Sequence, residues 1–223
     1  MSHSAASAPW VTQVARSTDA PRFIFFDLGG VIALFDRNIA IRQISAAADI
    51  SIDVVREFLC DTDLQHRHES GEVDQNEFYA AFCAATGTHC SLDKLLAAGN
   101  QMFTLNVRIL PIIANLAMTG HRLGILSNTC VSHWEYCHSQ YSVLRHAFAV
   151  NALSYEIGAI KPDPTIYAAA AQLAGVARQE IFFTDDRIEN VVAAREAGFD
   201  AEQFISPRDL AHGLRSRGVR LNY

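Results

Sequence analysis

Four places in the chain combine residue types that could do chemistry together. Asp27 ends the apolar run Phe23 to Phe26 and leads into Gly29 and Gly30, and Ser127 and Asn128 end the run Arg122 to Leu126. Lys161 stands directly before Pro162, and the acids Asp185 and Asp186 follow Ile181 to Thr184. An aspartate after an apolar run also serves as a turn former or helix cap, so Asp27 gains meaning only from the other three. A carboxylate attacks a phosphate dianion poorly because the charges repel, and something must neutralise the phosphoryl oxygens as attack proceeds. Magnesium, a lysine and a hydroxyl donor would do that. Mg2+ takes oxygen ligands in octahedral geometry and keeps several waters, so two carboxylates from different strands, one carbonyl and the substrate suffice. Asp27 and Asp186 fit as those carboxylates. Proline after Lys161 pushes the lysine out of any helix and into a loop.

These residues need a scaffold that brings distant strand ends together. The runs at 23–26, 122–126, 147–150, 181–183 and 201–205 read as strands, the first buried on both faces. They alternate with helical patterns at 107–119, 131–140, 164–175, 187–197 and 207–217, which predicts an α/β fold: a Rossmann-like, doubly wound parallel sheet covered on both faces. In such sheets chemistry gathers beyond the carboxyl ends of the strands. The interval 36–106 shows no convincing strand and reads as helices near 38–48, 52–60, 74–86 and 92–105, with Asp53, Asp74 and Ser91 as expected N-caps. The predicted organisation is a core of 22–35 and 107–223, a small helical cap inserted at 36–106, and a disordered leader at 1–21. The leader is rich in Ser and Ala and lacks the apolar segment of a secretory signal.

The segment Phe25-Phe26-Asp27-Leu28-Gly29-Gly30-Val31 resembles the first motif of the haloacid dehalogenase superfamily, whose leading aspartate attacks the substrate. Ile125 to Thr129 resembles the second motif, Ile160 to Pro164 the third, and Phe182 to Asp186 the acidic fourth. They run in the family's order, and together they are specific where each alone is weak. The resemblance implies Asp27 as nucleophile, Ser127 and Lys161 holding the phosphoryl group, and Asn128 and Gly30 beside it. It implies a metal site of Asp27, Asp186 and the Gly29 carbonyl, with Asp185 orienting a metal-bound water. A magnesium-dependent phosphatase acting on a small phosphorylated metabolite is therefore expected.

Gly29 departs from the usual pattern. Most phosphatases of the superfamily carry a second aspartate there as general acid and base, help typically worth roughly 10²- to 10⁴-fold. The DLGG form resembles a branch that includes bacterial α-D-glucose-1-phosphate phosphatases. His66 and His68, in a segment resembling that branch's substrate-facing cap, are candidate replacements because histidine titrates near neutral pH. His133 and Trp134, soon after Ser127, either line the rim of the phosphate pocket or, the favoured reading, start and pack the following helix. Two other functions remain open: a 2-haloacid dehalogenase, which also uses aspartate attack and lacks the second acid, and a phosphate-binding protein that has lost turnover. The acidic pair weighs against the dehalogenase, since charges beside the nucleophile hinder an anionic acid.

Composition narrows the partners. Acids outnumber bases, 24 to 18, without blocks of like charge, which argues against nucleic acid or an anionic membrane surface. No stretch approaches the apolar length of a membrane span. The five cysteines, Cys60, Cys83, Cys90, Cys130 and Cys137, form no CxxC or metal-ligand spacing, so reduced, packed thiols in a cytoplasmic monomer or homodimer are expected.

Overall fold

The four residues Phe23–Phe26 form strand β1, and all four side chains are buried. Alternation along the strand sends Phe23 and Phe25 to one face and Ile24 and Phe26 to the other. Both faces are covered, so the strand carries no polar residue until Asp27. Each such fully buried side chain contributes about 1.5–3 kcal/mol of hydrophobic stabilisation.

The computed structural model describes residues 20–60 and 62–222. Of the expected leader, all but Ala20 and Pro21 lies outside the described residues. After β1 comes β2 (Ala33–Phe35), then helices α1 (Arg37–Ala48), α2 (Ile52–Leu59), α3 (Thr62–Glu69), α4 (Gln75–Thr86) and α5 (Leu92–Asn100), then β3 (Phe103–Leu105). The chain continues through α6 (Leu110–Met118), β4 (Arg122–Ser127), α7 (Val131–Gln140), α8 (Ser142–His146), β5 (Val150–Leu153), α9 (Ser154–Ile157) and α10 (Pro164–Ala174). It ends with β6 (Ile181–Asp185), α11 (Ile188–Glu196), β7 (Asp200–Gln203) and α12 (Pro207–Ser216).

The predicted parallel sheet is present, in the order β5-β4-β1-β6-β7. Helices α10 and α11 bury Tyr167, Ala170, Val191 and Ala194 against Phe23 and Phe25. Helices α6, α7 and α12 bury Ile112, Leu116, Trp134 and Leu214 on the other face. Helices α1, α2, α4 and α5 enclose a separate apolar cluster that includes Ile41, Ile44, Val55, Phe82 and Leu95.

Several expectations need correction. The interval 36–106 does contain a strand: β3 pairs antiparallel with β2, with Ala33 opposite Leu105 and Phe35 opposite Phe103. Three-residue strands leave too little alternation to be seen in a sequence. The strand expected at 147–150 lies instead at Val150–Leu153. Its apolar signal came from Phe148, which packs edge-on against Phe26 at 5.9 Å from a non-strand position. Helices α3, α8 and α9 were not anticipated. Ser51, not Asp53, caps α2, accepting from Val54 N–H at 3.3 Å. Asp74 caps α4 as expected, in a capping box with Glu77. Ser91 occupies the N-cap position of α5 without a side-chain cap bond.

Candidate active site

The register of the central strands brings three polar ends side by side. Phe26 pairs with Ile125 of β4 and Thr184 of β6, and Asp27 donates its N–H to the Thr184 carbonyl at 3.0 Å. Asp27 therefore emerges between Ser127, which ends β4, and Asp185, which ends β6.

Lys161 enters from the loop before α10 and is buried, with its peptide bond to Pro162 in the cis form. Its Nζ lies 3.0 Å from Asp27 Oδ1 and 2.6 Å from Asp185 Oδ2, and it donates to the Leu126 carbonyl at 2.9 Å. All three ammonium protons thus have acceptors. The loop itself is fixed by Asn128, whose amide pairs with both the N–H and the carbonyl of Lys161. Asp185 has no solvent exposure. It accepts further from Asn190 Nδ2, 3.0 Å from both carboxylate oxygens, and from Arg187 N–H at 2.8 Å.

Asp186 completes the acidic group. One oxygen each of Asp27, Asp185 and Asp186 lie within 4.8 Å of one another. Gly30 makes room for this approach: its φ is +74°, and a Cβ there would come within 2.3 Å of Asp186 Oδ2. Only glycine meets both demands at no cost.

Three carboxylates around one ammonium leave negative charge uncompensated, and this oxygen-rich set is the chemistry a hard divalent cation requires. Without a cation Asp27 and Asp186 resist ionisation. Burial, with Asp185 adding to it, pushes Asp27 up to about 7 against the opposing pull of Lys161 and of a hydrogen bond from Ser127. Burial and Asp185 also raise Asp186. Burial works against charge on Lys161, but Asp27 and Asp185 outweigh it and hold the ammonium above its ordinary value.

A cavity of about 230 Å³ opens beside these residues. Gly29, Ser127 and Asn128 line its sheet end, and Ile41, Ile44 and Phe82 line its helical end. His68 reaches it from α3, buried, with Nδ1 3.0 Å from the Val73 carbonyl and its ring stacked on Phe78. His66, three residues after α3 begins to present charge at Asp63, is exposed and does not line this cavity. The structure thus brings His68, Ser127, Asn128 and Gly29 to one space and leaves His66 outside it. Gly30 faces Asp186 on the other side.

A model of the family described as haloacid dehalogenase-like hydrolase matches residues 21–198. The chain belongs to this family. As such it is a hydrolase built on the family's Rossmann-like core. A relative is the D-ribitol-5-phosphate phosphatase of Bacteroides thetaiotaomicron, 28% identical over 191 residues, which cover 81% of this chain and 90% of the relative. A HAD family enzyme of Bacteroides thetaiotaomicron shares the fold with a TM-score of 0.79 at 25% identity, covering 88% of this chain and 100% of its own. The same enzyme in complex with magnesium and inorganic phosphate matches with a TM-score of 0.74, also at 25% identity, over 82% of this chain and 93% of its own.

Within the haloacid dehalogenase-like core, two features go beyond the favoured sequence reading. Asn190, at the end of the segment that resembles the fourth motif, grips both oxygens of Asp185 from the first turn of α11, a role that the resemblance had not assigned to it. For His133 the less favoured alternative holds, since it is partly exposed and lines the cavity, whereas Trp134 is buried in the core in line with the packing reading. No helix among the described residues is long and apolar enough to cross a membrane.

Proposed function

We propose that this protein is a magnesium-dependent phosphomonoesterase of the cytoplasm, acting on a small phosphorylated metabolite through an aspartyl-phosphate on Asp27. The observation that carries this reading is the placement of Lys161 between Asp27 and Asp185, with Asp186 completing a carboxylate trio. Asp27 attacks phosphorus in line, the alcohol leaves, and water then cleaves the acyl phosphate. Lys161 offsets charge on the phosphoryl oxygens, Ser127 donates its hydroxyl to them, and Asn128 keeps the lysine loop in place. Asp27, Asp186 and the Gly29 carbonyl would hold the metal, with Asp185 beside them. Magnesium would supply positive charge where phosphoryl charge develops.

The helical segment 36–106 serves as a cap over the strand ends and excludes bulk water. Gly29 offers no proton, so the leaving oxygen relies on the substrate's own leaving ability or on a cavity histidine, of which His68 is the better placed of the two candidates. The named relative that hydrolyses a pentitol phosphate supports a sugar or polyol phosphate, and sugar 1-phosphates belong in the first assay set. The protein acts as a monomer or homodimer.

The test is a screen of phosphorylated metabolites with magnesium, using Asp27→Asn as the blank. Equal phosphate release by both proteins would overturn the hydrolase reading. Turnover of 2-haloacids that persists in EDTA would favour a dehalogenase, and phosphate-analogue binding without turnover would favour a silent binding protein.

A further inference from the structure

Helix α5 turns one face to the cavity, made of Leu92, Leu95, Leu96, Gly99 and Asn100. Their spacing is that of a single helical stripe, apolar until its last member. Asn100 is 8% exposed, and its side-chain amide has no hydrogen-bond partner among the described residues. Three neighbours in the lining are already engaged. Gln65 donates to Glu69 Oε1 at 2.8 Å, Tyr79 donates to the Cys90 carbonyl at 2.6 Å, and Arg56 pairs with Asp53 at 2.7 Å.

A buried amide without a partner is less stable than an apolar side chain of the same shape, and leucine would have continued the stripe. The amide therefore points to a polar group that arrives with a ligand. Gly99 agrees with this. A Cβ there would meet only Ile44 Cδ1, at 3.8 Å, so packing does not demand glycine, and glycine leaves space open beside Asn100. Phe103, three residues beyond Asn100, lies edge-on to His133 of α7 at 5.1 Å, which places the end of α5 where the helical segment meets the core.

We infer that Asn100 is a specificity-determining residue that reads a hydroxyl on the substrate's leaving group, remote from its phosphate. The inference rests on the phosphomonoesterase reading above and narrows the substrate class to phosphate esters of short, uncharged hydroxyalkyl or polyol chains. The hydroxyl donates to Asn100 Oδ1 or accepts from Nδ2, while the C–H faces of the chain lie on Ile41, Ile44 and Phe82. An amide offers a donor and an acceptor without charge, so it suits a hydroxyl better than a second phosphate or a carboxylate. The cavity of about 230 Å³ is small for an organic ligand site, which limits the chain to a few carbons. An ester without the hydroxyl would seal the amide from water and leave it unpaired.

Propyl, butyl and pentyl phosphate are each compared with the ester that carries one added terminal hydroxyl. Binding is measured by titration calorimetry with magnesium on Asp27→Asn, which removes the nucleophile. In at least one pair the hydroxylated ester is expected to bind about tenfold tighter, the usual net strength of one hydrogen bond. Adding Asn100→Leu, which keeps the branched shape without donor or acceptor, is expected to bring that ratio close to one. It is also expected to leave the unfolding temperature unchanged or higher, because no bond within the protein is lost.

Equal affinity within every pair, undetectable binding included, would overturn the inference. So would a ratio that Asn100→Leu leaves unchanged, or an unfolding temperature lowered by more than about 3 °C, which would mark a structural role. Phosphate release from the same esters by the unmodified protein tests the proposed activity separately. Turnover without a difference within any pair removes this inference alone, and a difference without turnover removes the activity alone.

Discussion

Asn128 and Lys161 are joined twice, by Lys161 N–H to Asn128 Oδ1 at 2.7 Å and by Asn128 Nδ2 to the Lys161 carbonyl at 2.9 Å. A side chain at the end of β4 therefore sets the backbone from which the buried ammonium extends. Losing two partly buried bonds and stranding their partners predicts a loss of about 2–4 kcal/mol in Asn128→Ala. A lysine released to drift should cut kcat/KM about tenfold or more. Thermal unfolding and steady-state kinetics check both, and an unchanged kcat/KM would show that the pairing does not position the lysine.

Lys161 is the cation that touches both Asp27 and Asp185, and both acids are nearly sealed from solvent. Lys161→Met strands them, with an expected loss of about 3–5 kcal/mol. The loss should be smaller at pH 5 than at pH 8, because a protonated Asp27 no longer needs a partner. Urea unfolding of the metal-free protein at both pH values measures this. Equal losses would mean the lysine contributes packing rather than charge.

Magnesium must compete with protons at this site. Burial raises Asp27 to about 7 and also raises Asp186, so between about pH 4 and pH 7 the folded protein keeps a proton that the unfolded chain has released. Stability of the metal-free protein should then fall as pH rises through that window. Magnesium affinity should rise by up to about tenfold per pH unit up to about pH 7 and level off above it. Titration calorimetry in buffers of different ionisation enthalpy would show proton release on binding at pH 6, and a flat affinity from pH 5.5 to 7.5 would contradict the assignment.

Gly29→Asp supplies a carboxyl where this chain has none. Its backbone is outside the left-handed region, and the new Cβ meets the Phe35 ring at 3.3 Å, so a small ring shift admits it. Turnover of alkyl phosphates, which leave poorly, should rise more than turnover of aryl phosphates. A like response of both substrate types would mean that leaving-group protonation does not limit catalysis.

The site residues were legible because each stands where a doubly buried apolar run breaks: Asp27 after Phe26, Ser127 after Leu126, Asp185 after Thr184. A parallel sheet then collects such breaks at one edge whatever their separation in sequence. The ribbon of β2 and β3 was not legible, since Leu34 and Phe35 are exposed and three residues carry no period. Phe148 misplaced β5 because burial marks a packed side chain and not the strand that bears it. That Cys130 and His68 line one cavity was equally hidden, being set by how α3 seats on the core and by no local pattern. Asp53 was mistaken for a cap because an acid in the first turn of α2 favours the helix start nearly as a true cap does.

The pairing of Phe35 with Phe103 has a consequence for the energetics of the inserted helices. The chain enters and leaves these helices through the paired strands of a separate two-stranded ribbon, so to the core the segment between them is one closed loop. Loop-closure entropy grows only with the logarithm of length, each doubling costing about 0.6 kcal/mol. Helices could be added to or removed from that loop, reshaping the cavity they line, at little cost to the stability of the sheet beneath.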